Sequence, residues 1–258
     1  MTKIILKFKK HQFLFEELVK RDFKQKYKRT ALGMLWSILS PLLTLFIMKI
    51  VFTQFFGRTT LHYTTYLFSG NIVMSYYKES TKGGMNSLTA NAKIFSKINV
   101  PKYMFLLSKN VSSFINFAII LVVYFLFAFI DGIQFGVHTF ALIYPIACIL
   151  VFNVGIGLIL SAMYIMFRDT QYLYDVFLTL LTYMSAVFYT VDKYPLNVQK
   201  LFYFNPIYCF IKYFRVVMID GNIPSVQYHM LCAFYAVVAL VIGAWVYKKN
   251  NHKFLYYV

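Results

Sequence analysis

Long runs of apolar residues, separated by short charged segments, most constrain what this chain of 258 residues can fold into. Several runs reach about 20 residues, the length at which a helix crosses about 30 Å of hydrocarbon. Backbone N–H and C=O groups must be paired inside a bilayer, so such runs predict membrane-spanning helices. Only 14% of the residues are charged, against about 25% in soluble domains. The sequence therefore predicts an all-α integral membrane protein.

The chain is predicted to form a single transmembrane domain over 1–258, with a core of six transmembrane helices over 34–247. The second helix is the weakest prediction, because Ser69, Gly70 and Asn71 interrupt its apolar run. The predicted spans are 34–56, 61–78, 104–130, 139–167, 172–191 and 227–247.

Basic residues are concentrated on one predicted side of the membrane. The formal net charge of +17 would suggest nucleic-acid binding in a soluble protein. Here, 20 of the 26 Lys and Arg residues fall in 1–33, around 79–103, in 168–171 and in 248–258. The positive-inside rule then predicts a multi-pass protein with both termini cytoplasmic, and explains the charge without nucleic acid.

The N-terminal segment 1–33 predicts an amphipathic helix. Phe15, Val19 and Phe23 recur with i, i+4 spacing, and basic residues occupy the remaining faces. Such a helix would lie in the headgroup layer before the first span. A simple anchor on anionic lipid explains the same pattern, so periodicity does not assign the helix a function.

The segment 79–103 is the largest predicted cytoplasmic loop between spans. Gly83-Gly84 is expected to end the second span, and Leu88, Ala92 and Phe95 then follow helical spacing. This pattern predicts a short amphipathic helix that projects into the cytosol. It would either dock a soluble partner or serve as a basic anchor, and spacing alone leaves both open.

The segment 191–226 predicts two short outer helices between spans five and six. Pro195 opens the first, and Asn205 caps the second with Pro206 at its first position. Gly221 is a stop signal. An aromatic interface belt explains the tyrosines here, but it does not explain the order of cap, helix and stop.

Motifs for catalysis, metal binding and nucleotide binding are absent from the sequence. Cys148, Cys209 and Cys232 have no metal or redox spacing. Lys49 is the one ionisable residue well inside a predicted span, where it would snorkel to the outer surface or face a pathway. Carboxylates near the midplane, typical of ion-coupled carriers, are lacking. The pattern favours a membrane pathway without its own energy source.

Three motifs in order resemble the polysaccharide-exporting permeases of the type-2 ABC exporter family. RDFKQKYKRTALGMLWSILSPLL resembles the family's N-terminal segment, MFRDTQYLYDVF its R-D segment, and LFYFNPIYCFIKYFRVVMIDG its N-P segment with a following arginine. One departure is at 185–189, SAVFY, where the family often has Ser-Pro-Val-x-Tyr. The missing proline is expected to remove a helix kink. The matching residues are Arg21, Asp22, Lys24, Tyr27, Leu32, Gly33, Trp36, Pro41, Leu42, Arg168, Asp169, Asn205, Pro206 and Arg215.

The resemblance implies a homodimer that works with two copies of a separate ATPase subunit in a bacterial inner or plasma membrane. ATP and Mg would bind the ATPase, and this chain would have no catalytic site and no cofactor. The cargo would be a glycan linked to undecaprenyl diphosphate, such as O-antigen, capsule or teichoic acid. An exporter of a drug or small lipid with the same fold is the alternative. A membrane-embedded glycosyltransferase is less compatible, since the cytoplasmic loops lack an acidic cluster.

The resemblance also suggests roles for particular residues. Contacts with the ATPase are assigned to Asn91, Lys93, Phe95, Lys97, Arg168 and Asp169. The interface helix and the lipid diphosphate are assigned to Arg21, Asp22, Lys24, Lys28 and Arg29. Candidates for the translocation path are Tyr63, Tyr66, Tyr76, Tyr183, Phe188, Tyr189 and Lys49, and the outer helices carry Asn205, Pro206 and Arg215.

Overall fold

The computed structural model describes residues 11–28, 30–51 and 62–257. Within these ranges the chain is helical, with turns and no strand. The first half contains α1 Gln12–Tyr27, α2 Trp36–Ile50, α3 Tyr63–Ala90, α4 Ala92–Phe95 and α5 Tyr103–Ile130. The second half contains α6 Ile143–Met166, α7 Thr170–Met184, α8 Leu196–Phe202, α9 Pro206–Met218 and α10 Val226–Asn250.

Among the described residues, four helical segments are long and apolar enough to cross a membrane, judged by length and composition. They are Gly33–Ile50, Tyr103–Ile130, Val137–Met166 and Val226–Asn250, and they coincide with the predicted first, third, fourth and sixth spans. The predicted second and fifth spans are helices α3 and α7. Helix α3 carries charged residues and α7 has only 15 residues, so these two remain predictions as membrane spans.

The glycines of α3 do not break the helix, contrary to the prediction. Helix α3 continues through Gly83 and Gly84 to Ala90. A Cβ atom on Gly84 would lie 3.0 Å from the Cα of Gly157 on α6. Gly84 therefore permits close packing of two helices, as small residues do in membrane proteins.

Two other predicted boundaries are wrong. Leu88 belongs to α3, and only Ala92–Phe95 forms the separate short helix. Residues 69–71 do not interrupt α3. The predicted end of the first span and the start of the second, 52–61, lie outside the described residues.

Helices α6 and α10 pack so closely that their backbones touch. A Cβ atom on Gly155 of α6 would overlap the backbone of Ala239 on α10. A Cβ atom on Gly243 would lie 2.9 Å from the carbonyl carbon of Gly155. The small-xxx-small pair Ala239 and Gly243 thus lets the two backbones touch.

The two ends of the helix bundle differ in charge. We call one the basic end: it consists of α1, the turn 91–102, the turn 167–169 and the C-terminal turn 251–257, and it carries nine of the 20 described Lys and Arg residues. The opposite end consists of residues 131–136, 185–205 and 219–225. The two helices predicted between spans five and six correspond to α8, which lies at this end, and α9, which follows it. Their location outside the membrane remains a prediction.

The C-terminal segment 248–258, expected as a tail, begins as the last turn of α10 and then packs on the bundle. Phe254 is fully buried, and its ring lies edge-on to Tyr247 at 5.0 Å between centroids. The tail is therefore part of the folded basic end.

Candidate coupling and translocation sites

The turn that follows α3 forms the centre of the basic end. Phe95 is 5% exposed and its ring lies 6.1 Å from that of Phe105 on α5. Asn91 is also buried, and its Nδ2 donates to the carbonyl of Ser87 at 2.8 Å. Both residues hold the turn onto the bundle, and their contact with an ATPase remains a prediction.

Lys102 joins this turn to the C-terminal segment. Its ammonium lies 5.6 Å from the ring centroid of Phe95 and 5.5 Å from that of Phe254, and it donates to the carbonyl of Asn251 at 2.9 Å. Partial burial lowers the pKa of Lys102. The turn and the tail consequently form one surface.

Only some of the residues predicted to contact the ATPase are exposed on that surface. Lys93, Lys97, Arg168 and Asp169 are exposed, as a docking role requires. Sequence reasoning missed Ile98, which is 48% exposed in the same turn. Its signal was an isolated apolar residue that follows Lys97 in a basic loop.

Helix α1 is fixed to α5 by a buried carboxylate. Asp22 is 5% exposed. Its Oδ1 forms ion pairs with Arg21 Nη2 at 2.8 Å and with Lys109 Nζ at 3.0 Å. Its second oxygen accepts from Ser108 Oγ at 3.0 Å. The Arg-Asp pair of the first motif therefore positions the helix on the bundle.

The other basic residues of α1 divide into two groups. Lys24 and Lys28 are exposed. Lys26, which was not among the predicted residues, lies 2.8 Å from Glu79 of α3. Arg29 lies outside the described residues. A role in diphosphate binding remains a prediction for Arg21, Lys24, Lys28 and Arg29.

Five of the six aromatic path candidates meet at the opposite end. Tyr63 Oη donates to the carbonyl of Phe188 at 3.1 Å, Tyr66 Oη to that of Tyr189 at 2.7 Å, and Tyr189 Oη to that of Tyr183 at 2.8 Å. The cluster joins the start of α3 to the segment after α7.

The sixth candidate, Tyr76, lies elsewhere. It is buried within the subunit, where its ring stacks on Phe117 at 4.5 Å between centroids. Lys49, the charged candidate, lines an apolar cavity of about 580 Å³ that also includes Asp131. For both residues the path role remains a prediction.

Arg215 holds the opposite end together. It is 7% exposed, and its guanidinium carbon lies 3.4 Å from the ring centroid of Tyr66. The guanidinium donates to Tyr66 Oη at 2.7 Å and to the carbonyls of Ala186 and Val187 at 2.9 and 3.0 Å. Further bonds reach Ser69 Oγ at 3.3 Å and the carbonyl of Tyr66 at 3.2 Å. Together these bonds match the five N–H donors of arginine.

The weak apolar stretch of α3 thereby gains a structural explanation. Ser69 accepts from Arg215, and a Cβ atom on Gly70 would lie 2.8 Å from Arg215 Nη2. Gly70 provides the space that the guanidinium occupies. The polar residues that interrupt the apolar run of α3 therefore accommodate the buried side chain of Arg215.

The turn after α7 breaks the helix without proline. Helix α7 ends at Met184 rather than at 191, and Ala186 has φ +50°. Proline is fixed near −65°, so it does not fit this conformation. The expectation that the missing proline removes a kink is therefore wrong: the left-handed residue supplies the break.

Asn205 connects the outer helix α9 to the same turn. Its Oδ1 accepts from the backbone N–H groups of Ile207 and Tyr208 at 3.0 and 3.4 Å, with Pro206 at the first helical position. Its Nδ2 donates to Ser185 Oγ at 2.9 Å. The predicted cap and helix start are confirmed.

In its described residues the chain is helical, with four apolar candidate spans, a basic end assembled from separate segments and a broken helix at the other end. These features are those of an integral membrane protein. The chain belongs to the ABC-2 type transporter family, whose profile matches residues 14–219. The resemblance drawn from its three motifs is thus confirmed.

Similar proteins cover nearly the whole chain. An O-antigen export system permease protein RfbA of Klebsiella pneumoniae is 25% identical over 94% of this chain and 95% of its own length. The protein of that name in Myxococcus xanthus is 21% identical over 98% of both chains. A polysialic acid transport protein KpsM of Escherichia coli is 20% identical over 96% of this chain and 97% of its own length.

Proposed function

We propose that this chain is the permease subunit of an ATP-driven exporter that moves a cell-surface polysaccharide, linked to undecaprenyl diphosphate, across the bacterial inner or plasma membrane. The observation that carries the proposal is similarity along nearly the full length to permeases and transport proteins named for O-antigen and polysialic acid. Membership of the ABC-2 type transporter family supports a transport role rather than an enzymatic one.

In the proposed assembly, two copies of the chain work with two copies of a separate ATPase, which holds ATP and Mg. Helices α2 and α7 each expose an apolar face, with Phe46 and Ile47 on one and Val176 and Leu180 on the other. Such faces fit either a second subunit or lipid, and we assign them to the subunit interface.

The basic end is the proposed ATPase-binding surface, with both termini cytoplasmic. Lys93, Lys97, Ile98, Arg168 and Asp169 are the exposed residues that would contact it. Movement of the ATPase would reach α3 directly, because the turn 91–102 continues from that helix. The motion would reach α5 through Phe95 and α1 through Asp22.

The cargo would enter with its lipid diphosphate near Lys24, Lys28 and Arg29, and pass reducing end first between the subunits. Aromatic faces suit sugar rings, and tyrosine adds a hydroxyl group. The cluster of Tyr66, Phe188 and Tyr189 near α9 would lie at the exit.

Deletion of the gene in its host tests the proposal. We expect surface polysaccharide to fall below one tenth of the wild-type amount while lipid-linked glycan accumulates inside the cell. The wild-type gene restores both only with an ATPase that hydrolyses ATP. Unchanged surface glycan together with increased drug sensitivity would contradict the proposal and favour a small-molecule exporter.

A further inference from the structure

A cleft of about 490 Å³ lies between α2, α3 and α5 of a single subunit. It falls within the range of about 300–1,000 Å³ typical of ligand sites. Nine of its fourteen lining residues are polar or charged. Helices α2 and α5 are among the four apolar spans, so a concentration of polar groups between them marks a functional site by default.

Each wall contributes polar groups in helical register. Asn71, Ser75 and Glu79 follow i, i+4, i+8 spacing on α3, and all three line the cleft. The distance from Phe68 to Glu79 along α3 is about 16 Å at about 1.5 Å per residue. The cleft therefore runs from the basic end through about half of a 30 Å hydrocarbon layer.

The wall formed by α2 mainly offers hydrogen-bond acceptors. The hydroxyls of Ser37 and Thr44 donate to the carbonyls of Met34 and Ser40 at 2.6 and 2.9 Å, which leaves their oxygen lone pairs as acceptors. Pro41 has no N–H, so the carbonyl of Ser37 lacks its helical donor. Trp36 adds an aromatic surface and is 39% exposed.

The charged groups at the mouth of the cleft neutralise each other. Glu79 Oε2 lies 2.8 Å from the ammonium of Lys26 and accepts from Nδ2 of Asn116, a buried residue, at 2.9 Å. A phosphate would have to compete with this carboxylate for the lysine. A neutral ligand with many hydroxyl groups instead finds acceptors, amides and an aromatic face.

We propose that this cleft binds a neutral saccharide unit within one subunit. The inference rests on the proposed function, because a polysaccharide exporter supplies such a ligand. It adds a site between α2, α3 and α5, away from the path between subunits and distinct from the basic residues assigned to the diphosphate.

Trp36 provides a direct test, since the chain has two tryptophans and Trp245 is 62% exposed on α10. In a Trp245→Phe background, Trp36 is the remaining tryptophan. The dimer in lipid nanodiscs would be titrated with methyl glycosides of common neutral hexoses and N-acetylhexosamines, and separately with inorganic pyrophosphate. We expect a saturable change in Trp36 emission with at least one glycoside and none with pyrophosphate.

Two mild variants keep the test independent of folding. Thr44→Val is nearly isosteric, and Ser75→Ala alters an exposed lining residue. Each is expected to weaken glycoside binding at least fivefold, whereas Thr179→Val on the exposed part of α7 should not change it. The proposal would be overturned if Trp36 emission changed only with pyrophosphate or only with lipid composition. It would also be overturned if all three variants bound the glycoside equally well.

Failure of this site and failure of the proposed function can be told apart. If no glycoside affects Trp36 but the exporter still delivers polysaccharide, only the site is wrong. If glycoside binds as described but gene deletion leaves surface polysaccharide unchanged, the site stands and the proposed function is wrong.

Discussion

Arg215 shows how one residue organises the opposite end. Its side chain reaches from α9 to α3 and to the turn after α7, and its hydrogen-bond partners among the described residues are neutral hydroxyls and carbonyls. A planar guanidinium with five donors suits this set, whereas a lysine ammonium offers three.

We therefore predict that Arg215→Lys and Arg215→Gln both destabilise the permease. Hydrogen bonds within membrane proteins average about 0.6 kcal/mol each, so loss of most of five would cost about 2–3 kcal/mol. Thermal unfolding of detergent-purified protein measures the loss. Lys200→Gln, on the exposed surface of α8, is the control, and equal stability of all three variants would contradict the assignment.

A second prediction concerns Ala186, which adopts φ +50° while fully buried. A left-handed conformation costs about 1–2 kcal/mol for a residue with a Cβ atom and little for glycine. Ala186→Gly should leave the melting temperature equal or higher, whereas Ala186→Pro should lower it by several degrees. A stable Ala186→Pro protein would show that the turn has another conformation.

The turn 91–102 yields a prediction that separates folding from docking. Phe95→Asp places a carboxylate among buried aromatic rings and should lower the stability of the permease itself, by about 3 kcal/mol or more. Ile98→Asp changes an exposed side chain, so it should leave stability within about 0.5 kcal/mol. Under the proposed function, Ile98→Asp weakens ATPase binding at least tenfold.

Both effects are measured on the purified chain and on its complex with the ATPase encoded beside it. Ile223→Asp at the opposite end, where the side chain is 60% exposed, is the control for a general effect of charge. If Ile98→Asp pairs with the ATPase as Ile223→Asp and the wild type do, the turn is not the docking surface.

At the scale of helices, glycine determines which elements touch. Gly155 and Gly243 allow α6 and α10 to pack with their backbones in contact, and Gly84 and Gly157 do the same for α3 and α6. Helix α6 is thus the central element onto which two others pack through small residues.

We predict that Gly243→Val separates α6 from α10, because its Cβ atom would overlap the backbone of Gly155. The expected loss is about 2 kcal/mol or more, through lost packing rather than lost helix propensity. Ala244→Val adds similar bulk at the neighbouring exposed position and should be tolerated. Equal thermal stability of the two variants would exclude the close contact.

At the scale of the whole molecule, the single chain leaves apolar helix faces uncovered, and those of α2 and α7 are among them. The exposed residues of α2 and α7 include Phe46, Ile47, Val176 and Leu180. A membrane accommodates such faces, so exposure alone does not separate lipid contact from subunit contact. The proposed homodimer makes a specific claim about them.

If α7 forms the subunit interface, Val176→Asn together with Leu180→Asn should raise the dimer dissociation constant at least tenfold. Val237→Asn with Val241→Asn, on the exposed face of α10, is the matched control and should leave the dimer intact. Single-molecule photobleaching in dilute nanodiscs measures the subunit number. Dissociation by the α10 pair alone would place the interface on that helix instead.

Much of the architecture was predictable because it depends on local patterns. The length of the apolar runs predicted four spans, and the structure has a helix of suitable length and composition at each. The Asn205-Pro206 pair predicted the start of α9. Three short motifs identified the family. These features depend on helix length, capping and turn chemistry, which neighbouring residues determine.

The errors share one physical cause. Gly83-Gly84 suggested a helix end and Ser69-Gly70 a weak span, because glycine and serine disfavour helices in isolation. Both pairs lie inside α3, where Gly84 contacts Gly157 and Gly70 makes room for Arg215. Partners distant in sequence therefore override local propensity, and their identity is not encoded in any short segment.

The sequence by itself determined that this chain is a helical membrane protein with a basic side, and to which family it belongs, since hydropathy, charge and motif order are properties of the linear chain. The tertiary structure alone decided that Phe95 and Asn91 are buried while Ile98 is exposed, that Arg215 binds the turn at Ala186, and that polar residues of three helices share one cleft. The reason is that burial and polar pairing depend on which helices meet.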